Sequence, residues 1–559
     1  MKGLVISGFH PGINDNGNGI AVHSNNNTIV GNFIGTNAAG TVDLGNANAG
    51  VNVGLFGGGT TFTGNRIGGS APADRNILSG GAIGVNLTFD SSGTQILGNL
   101  IGTNAAGTAA IPNTNSGIAN AGTGTIIGAV GAGNVISGND GWGINTTGDN
   151  TTIKGNFIGT NAAGTAAVPN GLSGVNFGSG ATGGLVGGAA AGEGNVISGN
   201  STHGIEIGSS FGDGVANNIT VFGNWIGTSL GGGIAIGNTD NGIGIFGTSG
   251  AIIGGVNAGE ANTIANNAVA GVAMSELSGT IARVRISGNS IHSNGTLGID
   301  LEADDVTPND AGDVDTGPNG LQNFPVLTTA APNSVTGTLN STASATFTIE
   351  FFTNTVASVS GFGEGLTYIG SKTVTTDASG NGTFTFTPSV AIPAGRLVTA
   401  TATTGNGSTS EFSQARALSN NVFVWDGGAG ADSSWFNPIN WDLDSGVPGA
   451  ADTAILNTAK TISLPSDVTV TNFTQNDGTF TGAAKLTVTG TFAFGKGTHG
   501  GTGSTVVSAG GTFAFNASMA SGKANGTSVA EVYNNSSEIT YHSSPLPTRS
   551  SIYISTKTA

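Results

Sequence analysis

An all-β protein led by a parallel β-solenoid is the fold class this 559-residue sequence predicts, and three observations predict it. The first is a glycine followed by Ile or Val, which recurs at Ile20, Val51, Val85, Ile118, Ile144, Val175, Ile205, Ile243, Val272 and Ile299. The steps average 31 residues, a unit too small to bury a core alone, so neighbouring units must stack. The second is a pair of alternating phrases between these anchors. Gly-Asn-apolar-Ile-Gly-Thr starts at Gly31, Gly98, Gly155 and Gly223, and an Asn-apolar-Ile-Ser-Gly-Asn type starts at Asn76, Asn134, Asn195 and Asn262. Their alternation defines a unit of two coils. The third is chemistry: runs such as TIV, FIG, VIS and GIEI are β-branched and fenced by Gly and Asn. No stretch of the region carries helical apolar spacing.

The expected elements follow in chain order. Residues 1–301 form about ten coils with three short strands each, stacked at roughly 4.8 Å into a rod on the order of 45 Å long. Repeated Ile and Val form inward stacks, and repeated Asn at the bends forms amide ladders. The inserts NAAGTAAIPN and NAAGTAAVPN are too polar for the core and loop out along one face. Residues 302–323 form an acidic linker. Residues 324–418 carry about seven longer alternating strands (ATFTIEFFTN, GTFTFTP, RLVTATATT among them), which fit an immunoglobulin-like β-sandwich. Residues 422–519 form a β-rich, solenoid-like module opened by Trp425, Trp435 and Trp441, which cap its end. Residues 520–559 are a Ser/Thr/Asn-rich tail expected to lack order.

The repeats, with GNxIGTNAAGT and GNVISGN, resemble the right-handed parallel β-helices of the pectin-lyase-like superfamily. They look most like the long repetitive versions in large bacterial surface and secreted proteins. The run from GIDL through ASGNGTFTF to TSEFS is similar to the module that follows such helices in bacterial surface proteins, and the C-terminal region resembles autotransporter passenger regions. The resemblance covers about residues 1–300 and implies handedness and fold. It does not imply one activity, because that superfamily holds lyases, hydrolases, epimerases, phage spikes and inert stalks.

Composition bounds the function classes. The formal net charge of −17 argues against nucleic-acid partners and anionic membranes. Cysteine is absent, as suits exported bacterial proteins that fold without disulfides, and no apolar run reaches transmembrane length. The N-terminal MKGLVISGFH lacks a secretory apolar segment and already reads as a repeat strand, so the chain is expected to start inside a longer array.

Candidate chemistry is sparse. Acids of the solenoid include Asp15, Asp140, Asp149, Glu206 and Asp213; Asp140 and Asp149 flank Trp142 in NDGWGINTTGD, and Glu206 follows His203 in THGIEI. Trp142, Asp140, Asp149 and Glu206 are therefore the candidate carbohydrate-binding residues, set against solvated turn acids and a rim tryptophan. The resemblance implies polygalacturonase acids only as a full set, and THG and RVRIS at Arg283 are isolated fragments. Trp225 fills the slot of Phe33, Leu100 and Phe157 and belongs to an apolar stack. Asp304, Asp305, Asp310, Asp313 and Asp315 lack the full EF-hand order, yet their spacing suits an oxygen-rich Ca²⁺ loop as well as a solvated linker. The functional expectation is a non-catalytic, exported bacterial surface protein, an adhesive or structural stalk in contact with polysaccharide or matrix at the cell surface. The alternatives are a polysaccharide-binding or polysaccharide-cleaving (lyase or hydrolase) protein and a homotypic lattice.

Overall fold

A computed structural model describes the chain apart from residues 12–15, 56–58, 213, 359, 394, 419–421, 443–445, 500–501, 509–510, 516–528, 536–537, 545–552 and 557–559. Asp15, Asp213 and much of the expected tail at 520–559 thus lie outside the described residues. The chain divides into two units. The first holds Met1–Thr328, Val335–Ser389 and Leu397–Arg416; the second holds Thr329–Ser334, Val390–Arg396 and Ala417–Ala559.

Residues 1–301 are a right-handed parallel β-helix with three parallel sheets of ten, nine and ten strands. Parallel strands joined by crossovers take this hand almost without exception. Sheet A runs from Ile20–Val22 to Ile299–Leu301, sheet B from Thr28–Ile29 to Arg285–Ile286, and sheet C from Val5–Ile6 to Ser290–His292. In sheet A the ten glycine-led positions are direct register partners, from Ile20 opposite Val51 through Ile118 opposite Ile144 to Val272 opposite Ile299. All ten are buried. The residue two places further along each strand points inward as well, which explains the Ile-x-Ile pattern.

The two alternating phrases occupy one place. Phe33, Ile77, Leu100, Val135, Phe157, Val196 and Trp225 are successive partners in sheet C, each followed by a fully buried Ile or Leu. The asparagine before each strand builds a ladder. In Asn32, Asn76, Asn99, Asn134, Asn156, Asn195, Asn224 and Asn262 both the backbone N–H and Nδ2 donate to the Oδ1 of the next, at 2.9–3.2 Å, ending on Asn289. A second ladder runs through Asn139, Asn170, Asn200, Asn238, Asn267 and Asn294 at the next bend. Apart from the half-buried Asn294 these amides are buried from water, so each must satisfy its neighbour. The Ser/Thr alternation has its own logic: Ser137 Oγ donates to Thr160 O and accepts from Gly159 N–H, linking one phrase to the other.

The inserts do loop out, but they fold back on the outer side of sheet C. Each closes as a small hairpin (Thr36 with Asp43, Thr103 with Ala110, Thr160 with Ala167), and successive hairpins join through Ala105 N–H to Gly40 O and Ala162 N–H to Gly107 O. They cover Phe33, Ile77, Leu100 and Phe157, an apolar stack outside the sheet. Trp225 belongs to this outer stack rather than to the interior.

Two antiparallel sheets follow, with all but a few strand-end residues in the first unit: a three-stranded one (Val326–Ala331, Ser334–Asn340, Asn381–Phe386) and a four-stranded one (Thr367–Thr375, Thr346–Asn354, Leu397–Thr404, Arg416–Ala417). The stacked rings of Phe351 and Phe386, 4.2 Å apart, sit between them. This sandwich closes the C-terminal end of the β-helix. Glu364 accepts from the N–H groups of Ser293 and Asn294 and from Asn294 Nδ2, taking the position that the next ladder asparagine would fill. Glu350 accepts from Ser287 Oγ and Gly288 N–H, Glu411 from the N–H groups of Leu301 and Thr307, and Ile291 pairs with Gly365. An open strand edge is thereby satisfied by side chains.

The second unit contains a smaller parallel solenoid. Thr453, Asn472 and Thr491 begin successive strands 19 residues apart, and Asn476 donates to Asn457 across the same interval. Trp425, Trp435 and Trp441 are buried at its start, with ring centroids 5.0 and 4.8 Å apart about Trp441. Buried in this way, they are part of the core at that end of the module. Beyond residue 528 the backbone includes strands at Val529–Asn535, Glu538–Ser544 and Tyr553–Thr556.

Candidate functional site

The outward positions of sheet A include Asn145, Asn176 and Glu206 in one row. A β-helix usually offers such a row to solvent, yet Asn176 is 5% exposed and Glu206 2%. The loop after Ile205–Ile207 folds back over the row. Glu206 causes this: Oε1 accepts from Ser210 N–H at 2.7 Å, and Oε2 from Ser173 Oγ at 2.7 Å. Asn176 Nδ2 donates to Asn145 Oδ1 at 3.0 Å. The folded loop carries Phe211, 68% exposed, edge-on to the half-buried Trp142 with centroids 6.1 Å apart.

The structure therefore divides the four candidate carbohydrate-binding residues. Trp142 and Glu206 belong to one place, Trp142 as its rim and Glu206 as the fastener of the loop beneath Phe211. Asp140 and Asp149 sit at opposite ends of the strand Ile144–Thr146; Asp140 is exposed, and Asp149 accepts from Thr182 N–H at 3.0 Å. Sequence reasoning misses Phe211 because its loop, SSFGDG, departs from the repeat and shares no spacing with Trp142.

The five aspartates after the solenoid are also divided. Asp310, Asp313 and Asp315 place carboxylate oxygens within 4.8 Å of one another. Asp310 accepts from Val314 N–H, and Asp313 from Asn323 N–H and Ser341 Oγ, so the loop is held against the sandwich. Burial, and then the charge of Asp310, pushes up the carboxyl of Asp315, and burial with the charges of Asp315 and Asp310 pushes up that of Asp313. Three hard oxygen donors in mutual repulsion fit Ca²⁺, which would relieve it. Asp304 and Asp305 stand apart, exposed beside Asp300. Sequence spacing alone groups all five because they share one loop; left-handed backbone at Asp305 and Asp313 splits it.

Buried carboxyls at the closed end are not legible in the sequence as a group. Burial pushes Glu411 up to about 8, helped by the charge of Asp300, and Asp300 itself up to about 6. Among the described residues no helix is long and apolar enough to cross a membrane.

No family model matches the chain, and no curated protein sequence matches it. Among solved structures it is similar to a tailspike protein, gp49 of Acinetobacter baumannii bacteriophage Fri1, a capsular polysaccharide depolymerase. The identity is 10% over 72% of this chain and 78% of that one, with a TM-score of 0.13. A likeness of that size says nothing about what this chain binds.

Proposed function

We propose that the chain is a non-catalytic surface stalk: a β-helical rod, exported by a bacterium, that extends and adheres to polysaccharide or matrix. The observation that carries this reading is how the polar side chains are used. The asparagine ladders, the Ser/Thr links and Glu206 are all engaged in holding coils and loops together. An active site needs convergent polar groups left over for substrate. Among the described residues the one group of three carboxylates close enough to share a metal ion, Asp310, Asp313 and Asp315, lies after the solenoid and suits a structural Ca²⁺.

Beads coated with the protein are expected to bind immobilised surface polysaccharide or matrix, while pectins, alginates and glycosaminoglycans incubated with it, with or without Ca²⁺, gain no new reducing or unsaturated ends. New ends that vanish in Glu206→Ala or Asp140→Ala would replace the stalk by an enzyme. A second reading, glycan binding at the Trp142 rim, is favoured by one observation: Phe211 stands exposed beside it. Trp142→Ala should then abolish bead adhesion without shifting the melting temperature.

A further inference from the structure

In the fragment RVRIS, Val284 and Ile286 stack like the rest of the coils, with Ile286 opposite Ile253, but stacking gives no role to the two arginines. Arginine is scarce in a chain with 15 basic against 32 acidic residues, yet two stand at Arg283 and Arg285. Lysines of the β-helix are neutralised, Lys2 by Asp74 at 3.3 Å and Lys154 by Glu193 at 2.9 Å. Neither arginine has a carboxylate at ion-pair distance among the described residues. Both are exposed, and both line a crevice of about 560 Å³ inside the first unit, between the last coils and the four-stranded sheet.

The crevice is built rather than incidental. Arg283 is held at a φ of 56°, a left-handed conformation that a residue other than glycine adopts only against steric strain. That backbone lets Nε and Nη2 donate to Ser249 Oγ, at 3.2 and 2.7 Å, leaving Nη1 of the fork. The opposite wall is the hairpin tip Thr404–Gly407. It is stitched to the strand by Ile286 N–H donating to Thr409 Oγ1 at 3.0 Å and by Thr409 N–H donating to Val284 O at 3.2 Å. A side chain at Gly407 would stand 3.9 Å from Arg285 Cβ, so the tip lies directly against the arginines.

We infer that this crevice binds a tetrahedral oxyanion, a sulfate or phosphate ester, carried on a hydroxylated body such as a sugar. Two guanidiniums match the several oxygens and multiple charge of such an ester better than a lone carboxylate. The one acid lining it, Glu350, has both oxygens engaged by Ser287 and Gly288; burial pushes its carboxyl upward, while those hydrogen bonds and the nearby charge of Arg285 oppose the rise. Thr348 and Nδ2 of Asn406 offer hydroxyl and amide partners, and Ile252 and Val256 offer an apolar wall for a sugar face. Among the described residues no aromatic ring lines the crevice, so a nucleobase would find no stacking surface. The net charge of −17 repels long polyanions, which selects a ligand bearing an isolated ester. Binding of such an ester here does not require the rod to be adhesive.

Calorimetric titration of the full chain tests it, using a monosulfated galactose, galactose, galacturonate and inorganic sulfate or phosphate. The monosulfated galactose is expected to bind tightest, to weaken about tenfold or more in R283Q/R285Q, and to be only partly recovered in R283K/R285K, which restores the charge without the fork. Galactose or galacturonate binding as tightly would overturn the oxyanion assignment. Inorganic sulfate or phosphate binding as tightly would overturn the hydroxylated body, and full affinity in R283Q/R285Q would overturn the site. Circular dichroism checks the fold of each variant. If R283Q/R285Q unfolds, loss of affinity in R285Q, with partial restoration in R285K, decides in its place.

Discussion

At the residue scale the ladder asparagines carry more than propensity. Asn156 accepts from both nitrogens of Asn134 and donates twice to Asn195, all at 2.9 Å. Replacing it with Ala leaves a buried amide unsatisfied on one side, so Asn156→Ala should cost about 2–4 kcal/mol in urea denaturation. A loss below about half a kcal/mol would mean water enters the bend. Glu411 gives a pH prediction. Its carboxyl rises from 4.5 to about 8 on folding, and that of Asp300 from 3.8 to about 6, so the folded state holds protons that the unfolded state releases. For a raised acid, stability is complete below the unfolded value and is lost as pH climbs. Stability should therefore fall by roughly 2–4 kcal/mol between pH 4.5 and 8, and Glu411→Gln should flatten that slope. Asp300, Asp304 and Asp305 face the same place, and Asp300→Asn alone should remove part of it. An unchanged pH profile in both variants would place the titration elsewhere.

Elements here are interchangeable coils, and that is testable by subtraction. Removing residues 98–154 joins Leu97 to Gly155, so that GNFIGT replaces GNLIGT with Phe157 in the register of Leu100. The ladder then passes from Asn76 to Asn156 without a gap in chemistry. The shortened chain should keep its β-sheet circular dichroism and lose about 10 Å of rod length by small-angle scattering. Cooperative loss of all β signal would contradict stacking of independent coils. The inserts set a limit: those at Asn37, Asn104 and Asn161 rest on one another, so removing one insert alone should uncover Phe33 or Leu100 and lower the melting temperature.

For the first unit as a whole, the closed end matters most. Three glutamates of the sandwich sit on N–H groups that another coil would otherwise engage. Glu364→Ala should cost about 1–3 kcal/mol and promote concentration-dependent association, whereas Glu364→Gln, which keeps an acceptor, should cost less. Light scattering of the two variants side by side checks this; equal behaviour would mean the sandwich packs without closing the edge. Ca²⁺ acts at the same level: if Asp310, Asp313 and Asp315 hold it, millimolar Ca²⁺ should raise the melting temperature and Asp313→Asn should remove the rise.

What the sequence determined by itself is everything that repeats. The ten glycine-led positions, the Asn ladders and the two-coil alternation are visible because stacking puts identical chemistry at identical places, and a period records it. Trp225 was legible for the same reason, and only its side of the sheet was not. What tertiary structure decided is whatever breaks the period: Phe211 meeting Trp142, Asp304 parting from Asp313, Glu364 ending the ladder that reaches Asn294, and Arg285 facing a hairpin tip. Those contacts join segments with no shared spacing. One-dimensional pattern therefore cannot carry them, and only the folded chain brings them within reach.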